Sequence, residues 1–412
     1  MCAPPATGRR TIRLAGQGAI RLAGQSTIRL AGQSTIRLAG QSTIRLAGQS
    51  TRVGKRPLPS PGPSSMPSVV VTGVSGALGR RIVALLAGRS DWEVVGIDTA
   101  PFPEGVAKPR HFTVHRADLR SADCRRLISG ADAIVHLAAA DPSTTGEGAE
   151  VEILRRLLSA VEQVGINQFV MMSSATVYGA YPENPIPLLE GVGFNANPGF
   201  SFAESKVQCE LLLDAWRKEH PAISIAVLRP AVTLGHPDAR AWLARAVQPS
   251  LADRLGHGLP ALQFVHIDDL ANAVVTALDK RLDGPFNVAA DDWIAAEESH
   301  ELLGPNLRLP LPDWLLDAVV RFTDRRPGRR RPDGALPYSR HPWVVAVDRL
   351  KLAGWSPQST SAEAFVASRR QSRFSRYFAK HRQEVTLGLV VAVAAVVVGV
   401  IAWVVRRMRK ST

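Results

Sequence analysis

Cysteine is nearly absent from this sequence: Cys2, Cys124 and Cys209 are the only three, far apart and sharing no C-x-x-C spacing. Neither a disulfide framework nor a zinc site is indicated, and a reduced, cytosolic setting for the core is the simplest reading. Acidic residues are missing where basic ones gather. Residues 1–66 hold ten Lys and Arg and no acid, and residues 369–412 hold ten more against Glu384 alone. These ends carry +10 and +9 of a formal net charge of +14, which leaves the middle at −5 (14 minus 19). A basic groove for nucleic acid is therefore not indicated in the folded part.

Charge of either sign is absent from "VTLGLVVAVAAVVVGVIAWVV", the 21 residues 385–405. At about 1.5 Å per residue such a helix spans roughly 30 Å, the thickness of a bilayer's hydrocarbon layer. A buried core helix of this length would show a polar face, and this stretch has none. Trp403 near one end and "RRMRK" directly after it suit interfacial anchors. The expectation is a single-pass C-terminal anchor at 385–405, with a basic approach over 369–384 and a basic tail over 406–412. The approach is slightly more basic than the tail, which places the main domain on the cytoplasmic side and its arginines against anionic headgroups.

The other end is a repeat. "TIRLAGQ" and "GAIRLAGQ" are followed by three copies of "STIRLAGQ". Octads with one Ile, one Leu and a Gly match neither a heptad seam nor a solenoid period. With the Pro-rich linker behind it, residues 1–65 read as a disordered tract, the other reading being a basic arm for anionic partners. Met66, directly before the first strand-like run, stands as an alternative start.

Between linker and anchor, over 66–368, short apolar runs alternate with helical patterns. "SVVVTG", "EVVGI", "FTVH", "AIVHLAA", "QFVMMSS" and "SIAVLRP" read as buried strands, and 78–87, 150–164 and 203–218 as helices. Such alternation predicts an α/β fold, a doubly wound parallel sheet covered on both faces. The first strand ends in "TGVSGALG" (Thr72 to Gly79). There Gly73, Gly76 and Gly79 allow a tight turn, close approach of a pyrophosphate and close packing of the next helix. The helix start adds free N–H groups and the positive dipole end. Asp98 closes the second strand, 25 residues after Gly73. A carboxylate there binds ribose hydroxyls and repels a 2′-phosphate, so NAD is expected over NADP; a plain turn-capping role is the alternative.

These motifs, followed in order by "ADLR" (117–120), "HLAA" (136–139), "SSATVYG" (173–179), "LRPAVTLG" and "FVHIDDLANAV", resemble the NAD-dependent epimerase/dehydratase family, the extended short-chain dehydrogenases. The resemblance covers about 69–290 and thins toward Pro357. It implies a Rossmann domain with a small C-terminal substrate lobe, acting on nucleotide sugars by reversible hydride transfer. Cofactor contacts then fall to Gly73, Ser75, Gly76, Leu78 and Gly79, to Asp98, to Asp118 and Leu119 near the adenine, to Leu137 and Ala138 near a ribose, and to Lys206. Family members often pair, so a homodimer is compatible. No metal is implied.

The family's chemistry rests on a Ser or Thr, a Tyr, and a Lys four residues later. The phenol moves the hydroxyl proton, and the lysine's charge brings a pKa near 10 toward neutrality. This sequence matches at Ser174 and Lys206, but at the tyrosine position it has Phe202, in "SFAESK". A phenyl ring carries no exchangeable proton. Tyr178, on the loop after the Ser174 strand, is a candidate substitute and substrate contact. Arg229, ending a strand at the cleft, is a candidate for a substrate phosphate, with an ordinary ion pair as the alternative. Two readings follow: a membrane-anchored enzyme acting on a nucleotide sugar or a lipid-linked sugar, or a catalytically impaired, NAD-bound sensor or scaffold.

Overall fold

The computed structural model describes residues 66–89, 92–137, 148–235, 242–247, 260–298 and 334–368, together with five short strands within residues 11–46. Residues 1–65 form one unit and residues 66–412 another.

In the first unit, Thr11–Arg13 pairs antiparallel with Ala19–Arg21. Ser34–Leu38 pairs antiparallel with Ser42–Leu46, which also runs parallel to Ile28–Arg29. Strands thus stand where composition predicts a disordered tract. Each "STIRL" carries adjacent β-branched Thr and Ile, residue types that favour extended backbone.

The second unit is built on a seven-stranded sheet. Its strands are β1 (Ser68–Thr72), β2 (Glu93–Asp98), β3 (Phe112–Arg116), β4 (Ala133–His136), β5 (Gln168–Met172), β6 (Ser224–Pro230) and β9 (Gly284–Val288). Two further short strands, β7 (Val232–Leu234) and β8 (Phe264–His266), pair with each other in parallel. The sheet order is β9-β6-β5-β4-β1-β2-β3, and every pairing is parallel. The six strands read from the sequence are all present. The seventh, "GPFNV", escapes that reading because Gly284 and Pro285 open it and disguise its apolar run.

Parallel strands need crossovers, and these supply the two covering layers. Strand residues alternate sides. Val69, Val71, Val135 and Val170 share one core with α1 (Ala77–Ala87) and α6 (Ile267–Asp279). Val70, Ile134, Phe169 and Met171 share the other with α3 (Ala149–Val164) and α4 (Ser201–Glu219). Two shorter helices, α2 (Cys124–Leu127) and α5 (Trp242–Val247), precede α3 and α6. The order reverses at β1, whose neighbours are β2 and β4, and crevices that hold ligands open at such points, beyond the strands' carboxyl ends. This is the doubly wound arrangement predicted.

The chain returns through α7 (Pro337–Arg340), α8 (Asp348–Leu352) and α9 (Ser361–Ser368). Among the described residues no helix is long and apolar enough to cross a membrane. The expected anchor at 385–405 and its flanks at 369–384 and 406–412 lie outside the described residues.

Candidate functional site

The glycine turn at the end of β1 has the shape a dinucleotide requires. Gly73 sits at φ +72°, a left-handed conformation that favours glycine, and its N–H donates to the Ile97 carbonyl at 2.8 Å. A Cβ on Gly79 would meet the Gly73 carbonyl at 2.5 Å and the Val74 backbone at 2.6 Å. Only glycine lets α1 press so closely on the loop. Gly76, at the helix start, offers no side-chain cap to the first-turn N–H groups, which leaves them directed at whatever lies before the helix. Leu78 packs half-buried against the core behind.

Asp98 ties this loop to β2. Its Oδ2 accepts from the Ser75 N–H at 2.9 Å and its Oδ1 from the Ala100 N–H at 3.0 Å, while Ser75 Oγ donates to the Ala100 carbonyl at 3.0 Å. The carboxylate therefore stands at the loop, where ribose hydroxyls would lie. Asp118 is held by Arg120, through its backbone N–H at 2.9 Å and its Nη2 at 2.7 Å. Those bonds, the guanidinium's first, hold the carboxyl below its ordinary range. Leu119 is buried and its carbonyl accepts from Arg156 Nε at 3.1 Å; Leu137 follows β4, half-buried, with its N–H on the Thr72 carbonyl at 3.3 Å. Ala138 lies outside the described residues. Positive φ at one glycine, no room for a Cβ at another, uncapped amides and an acid at the strand end fit NAD.

Ser174 caps the 3-10 turn Ala175–Tyr178. Its Oγ accepts from the Thr176 N–H at 3.2 Å and from Thr176 Oγ1 at 3.0 Å. With both acceptor sites used, its own O–H remains to donate. Phe202 lies in the first turn of α4, 8% exposed, and Lys206 follows one turn later with its ammonium 5.6 Å from the ring centroid. The i, i+4 spacing thus brings the two side chains together as predicted.

The lysine is not free. Its Nζ donates to Glu150 Oε1 at 2.5 Å and to the Met172 carbonyl at 2.9 Å. The two side chains are only 4% and 6% exposed. The other carboxylate oxygen, Oε2, accepts from Ser205 Oγ at 3.1 Å. Beside this pair His136 is buried, with Nδ1 2.8 Å from Thr72 Oγ1 and Nε2 without a hydrogen-bond partner among the described residues. Burial drives its pKa down to about 4; the nearby Glu150 opposes the shift and Lys206 adds to it.

Tyr178 and Arg229, the candidate substrate contacts, bind internal partners. The Tyr178 hydroxyl accepts from Arg229 Nη1 and donates to Asn287 Oδ1, both at 2.8 Å, and the residue is 1% exposed. Burial raises the phenol to about 12, despite the opposing pull of Arg229. Arg229 meets Glu210 through Nε at 3.0 and 3.1 Å and through Nη2 at 2.6 Å. Ser173 Oγ donates to the same carboxylate at 2.5 Å. The ion-pair alternative for Arg229 is the arrangement present, and the Tyr178 hydroxyl is committed to Arg229 and Asn287.

Sequence reasoning missed Glu150 and Glu210, although a signal exists. Glu150 stands on the buried stripe of α3 with Ile153, Leu154, Leu157, Leu158 and Val161. Glu210 stands on that of α4 with Phe202, Ala203, Lys206, Cys209 and Leu213. An acid on an apolar stripe needs an internal partner.

Comparison with known proteins agrees with this geometry. An uncharacterized protein of Mycobacterium tuberculosis is 26% identical over 312 residues, spanning 72% of this chain and 82% of its own length. The dTDP-glucose 4,6-dehydratase of Streptomyces griseus is 25% identical over 285 residues, spanning 64% of this chain and 84% of its own. Among solved structures, a tyrosine-to-phenylalanine mutant of UDP-glucuronic acid 4-epimerase from Bacillus cereus, in complex with UDP-4-deoxy-4-fluoro-glucuronic acid and NAD, shares the fold. Its TM-score is 0.53 at 20% identity, over 73% of this chain and 97% of that one. The sequence pattern of the NAD dependent epimerase/dehydratase family matches residues 69–289, more than half the chain, and the protein belongs to that family.

Proposed function

We propose that the domain over 66–368 binds NAD and a nucleotide sugar, and that its epimerase/dehydratase chemistry is strongly reduced. When bound, NAD would supply reversible hydride acceptance. Gly73, Ser75, Gly76, Gly79 and the α1 amides would hold the pyrophosphate, and Asp98 the adenosine ribose. Ser174 has an O–H free to donate to a substrate oxygen. The relatives named for dTDP-glucose and UDP-glucuronic acid support a nucleotide sugar as the substrate class.

One observation carries the reduced activity: Phe202 has no proton to exchange, and the lysine that would tune a phenol there is closed against Glu150 at 2.5 Å. Losing a positioned general acid–base group costs about 10²–10⁴ in rate. A structural neighbour with a tyrosine-to-phenylalanine change still holds NAD and a nucleotide-sugar analogue, which favours binding without fast turnover. The uncharged 385–405 stretch and its basic flanks support anchorage of this domain at the cytoplasmic face of a membrane.

Titration calorimetry of the full chain with NAD, then with UDP-glucose and UDP-glucuronic acid, tests the reading. Heat of binding is expected with NAD and with at least one sugar nucleotide. Absence of NAD binding sinks it, and so does turnover in the ordinary enzymatic range of roughly 1–10³ per second.

A further inference from the structure

We propose that Glu150 is a positioning residue that keeps the Lys206 ammonium from acting on the ring position at 202. This rests on the reading of Phe202 as a lost phenol and says why restoring the hydroxyl alone is not enough.

A phenol is made acidic by a positive charge within about 4–6 Å. Lys206 Nζ is 5.6 Å from the Phe202 ring centroid, which suits that task, but it is 2.5 Å from a carboxylate oxygen. Seen from the ring, the carboxylate beside the ammonium opposes its charge and leaves a dipole. Both side chains lie beneath the surface, so water does not come between them. The remaining lysine contact, to the Met172 carbonyl, fixes the ammonium further. Glu150 is held in turn by Ser205, so its two oxygens are committed to partners on α4.

Three titratable groups on neighbouring segments act differently from the lysine. On α4 itself, Glu204 binds the Gly199 N–H, and a carboxylate there would raise a neighbouring phenol. On β4, His136 is uncharged near neutrality because burial lowers its pKa to about 4. From α7, Tyr338 reaches the cluster through the ring of Phe200, which lies 5.9 Å from that of Phe202. Lys206 places its ammonium 5.6 Å from the ring centroid, and Glu150 sets the effective charge of that ammonium there.

The test compares Phe202→Tyr with Phe202→Tyr/Glu150→Gln in the full chain. The added phenol is titrated by tyrosinate absorbance, with wild type and Glu150→Gln as the respective blanks. With Glu150 present, the phenol is expected to titrate at or above the ordinary value near 10. With Glu150→Gln it should fall by roughly one to three pH units, the effect of an unmasked opposite charge. Equal titration in the two variants, or a low value with Glu150 in place, overturns the proposal. Should Glu150→Gln not fold, Phe202→Tyr/Glu150→Asp decides. Withdrawing the carboxylate by one methylene should give a smaller fall of the same sign, and no fall overturns the idea. Calorimetry with NAD on the same variants separates the two readings: a fall without NAD binding sinks the cofactor reading and leaves the role of Glu150 standing.

Discussion

His136 and the Glu210–Arg229 pair are charges, or would-be charges, held inside the protein, and each makes a measurable demand. His136 binds its proton more weakly in the fold, with a pKa of about 4 against an ordinary 6.5. Between those values the unfolded chain takes up more protons, so stability falls as pH drops from about 6.5 toward 4 and is fully present above that window. Between pH 7 and pH 5 the loss should reach about 2 kcal/mol in urea unfolding. A His136→Gln variant should lose this component of the slope; an unchanged slope would show that the histidine is not its source. Glu210→Ala leaves the Arg229 guanidinium buried beside an empty partner position. Such broken pairs cost about 3–5 kcal/mol, and the denaturation midpoint should move accordingly. A shift no larger than that of a surface substitution would mean that the pair is solvated.

At the scale of elements, the turn from β1 into α1 is an exacting join. Gly79→Ala places a methyl carbon 2.5 Å from the Gly73 carbonyl, and the obstacles are backbone atoms that cannot rotate aside. Overpacking of this kind costs roughly 1–3 kcal/mol. It also displaces the amides at the helix start, so NAD affinity should drop at least tenfold by calorimetry; an unaltered affinity would separate the turn from the cofactor.

This join was legible in the sequence, because its glycines are local and their spacing is set by one turn of chain. The strands Ser68–Thr72 and Gln168–Met172 were legible for the same reason, as continuous apolar runs. The partners of Lys206 and Arg229 were not. Glu150 is 56 residues from Lys206 and belongs to no motif; only the packing of α3 beside α4 brings it near. Nor were the partners of Tyr178 legible. Its place in "SSATVYG" suggested the cleft, whereas a bond to Asn287, 109 residues away, draws it inward.

Across the domain, segments distant in sequence are stitched together. The Asp269 carboxylate accepts from the Gln358 and Ser359 N–H groups, both at 3.0 Å. The Gln263 amide bridges Ala290 and Val345, and Tyr338 donates to the Thr176 carbonyl at 2.6 Å. At the scale of the whole chain, the uncharged stretch at 385–405 should decide where the protein resides. Deleting it is expected to move the protein from the membrane to the soluble fraction without altering NAD affinity. Recovery of the intact chain in the soluble fraction would remove the anchor from the account.

The short contact between Lys206 and Glu150 also bears on descent. Phenylalanine returns to tyrosine by a single nucleotide change, yet the regained hydroxyl would meet a cation already neutralised. On the proposal above, a hydroxyl at 202 and a neutral side chain at 150 would have to arise together for a tuned phenol to appear.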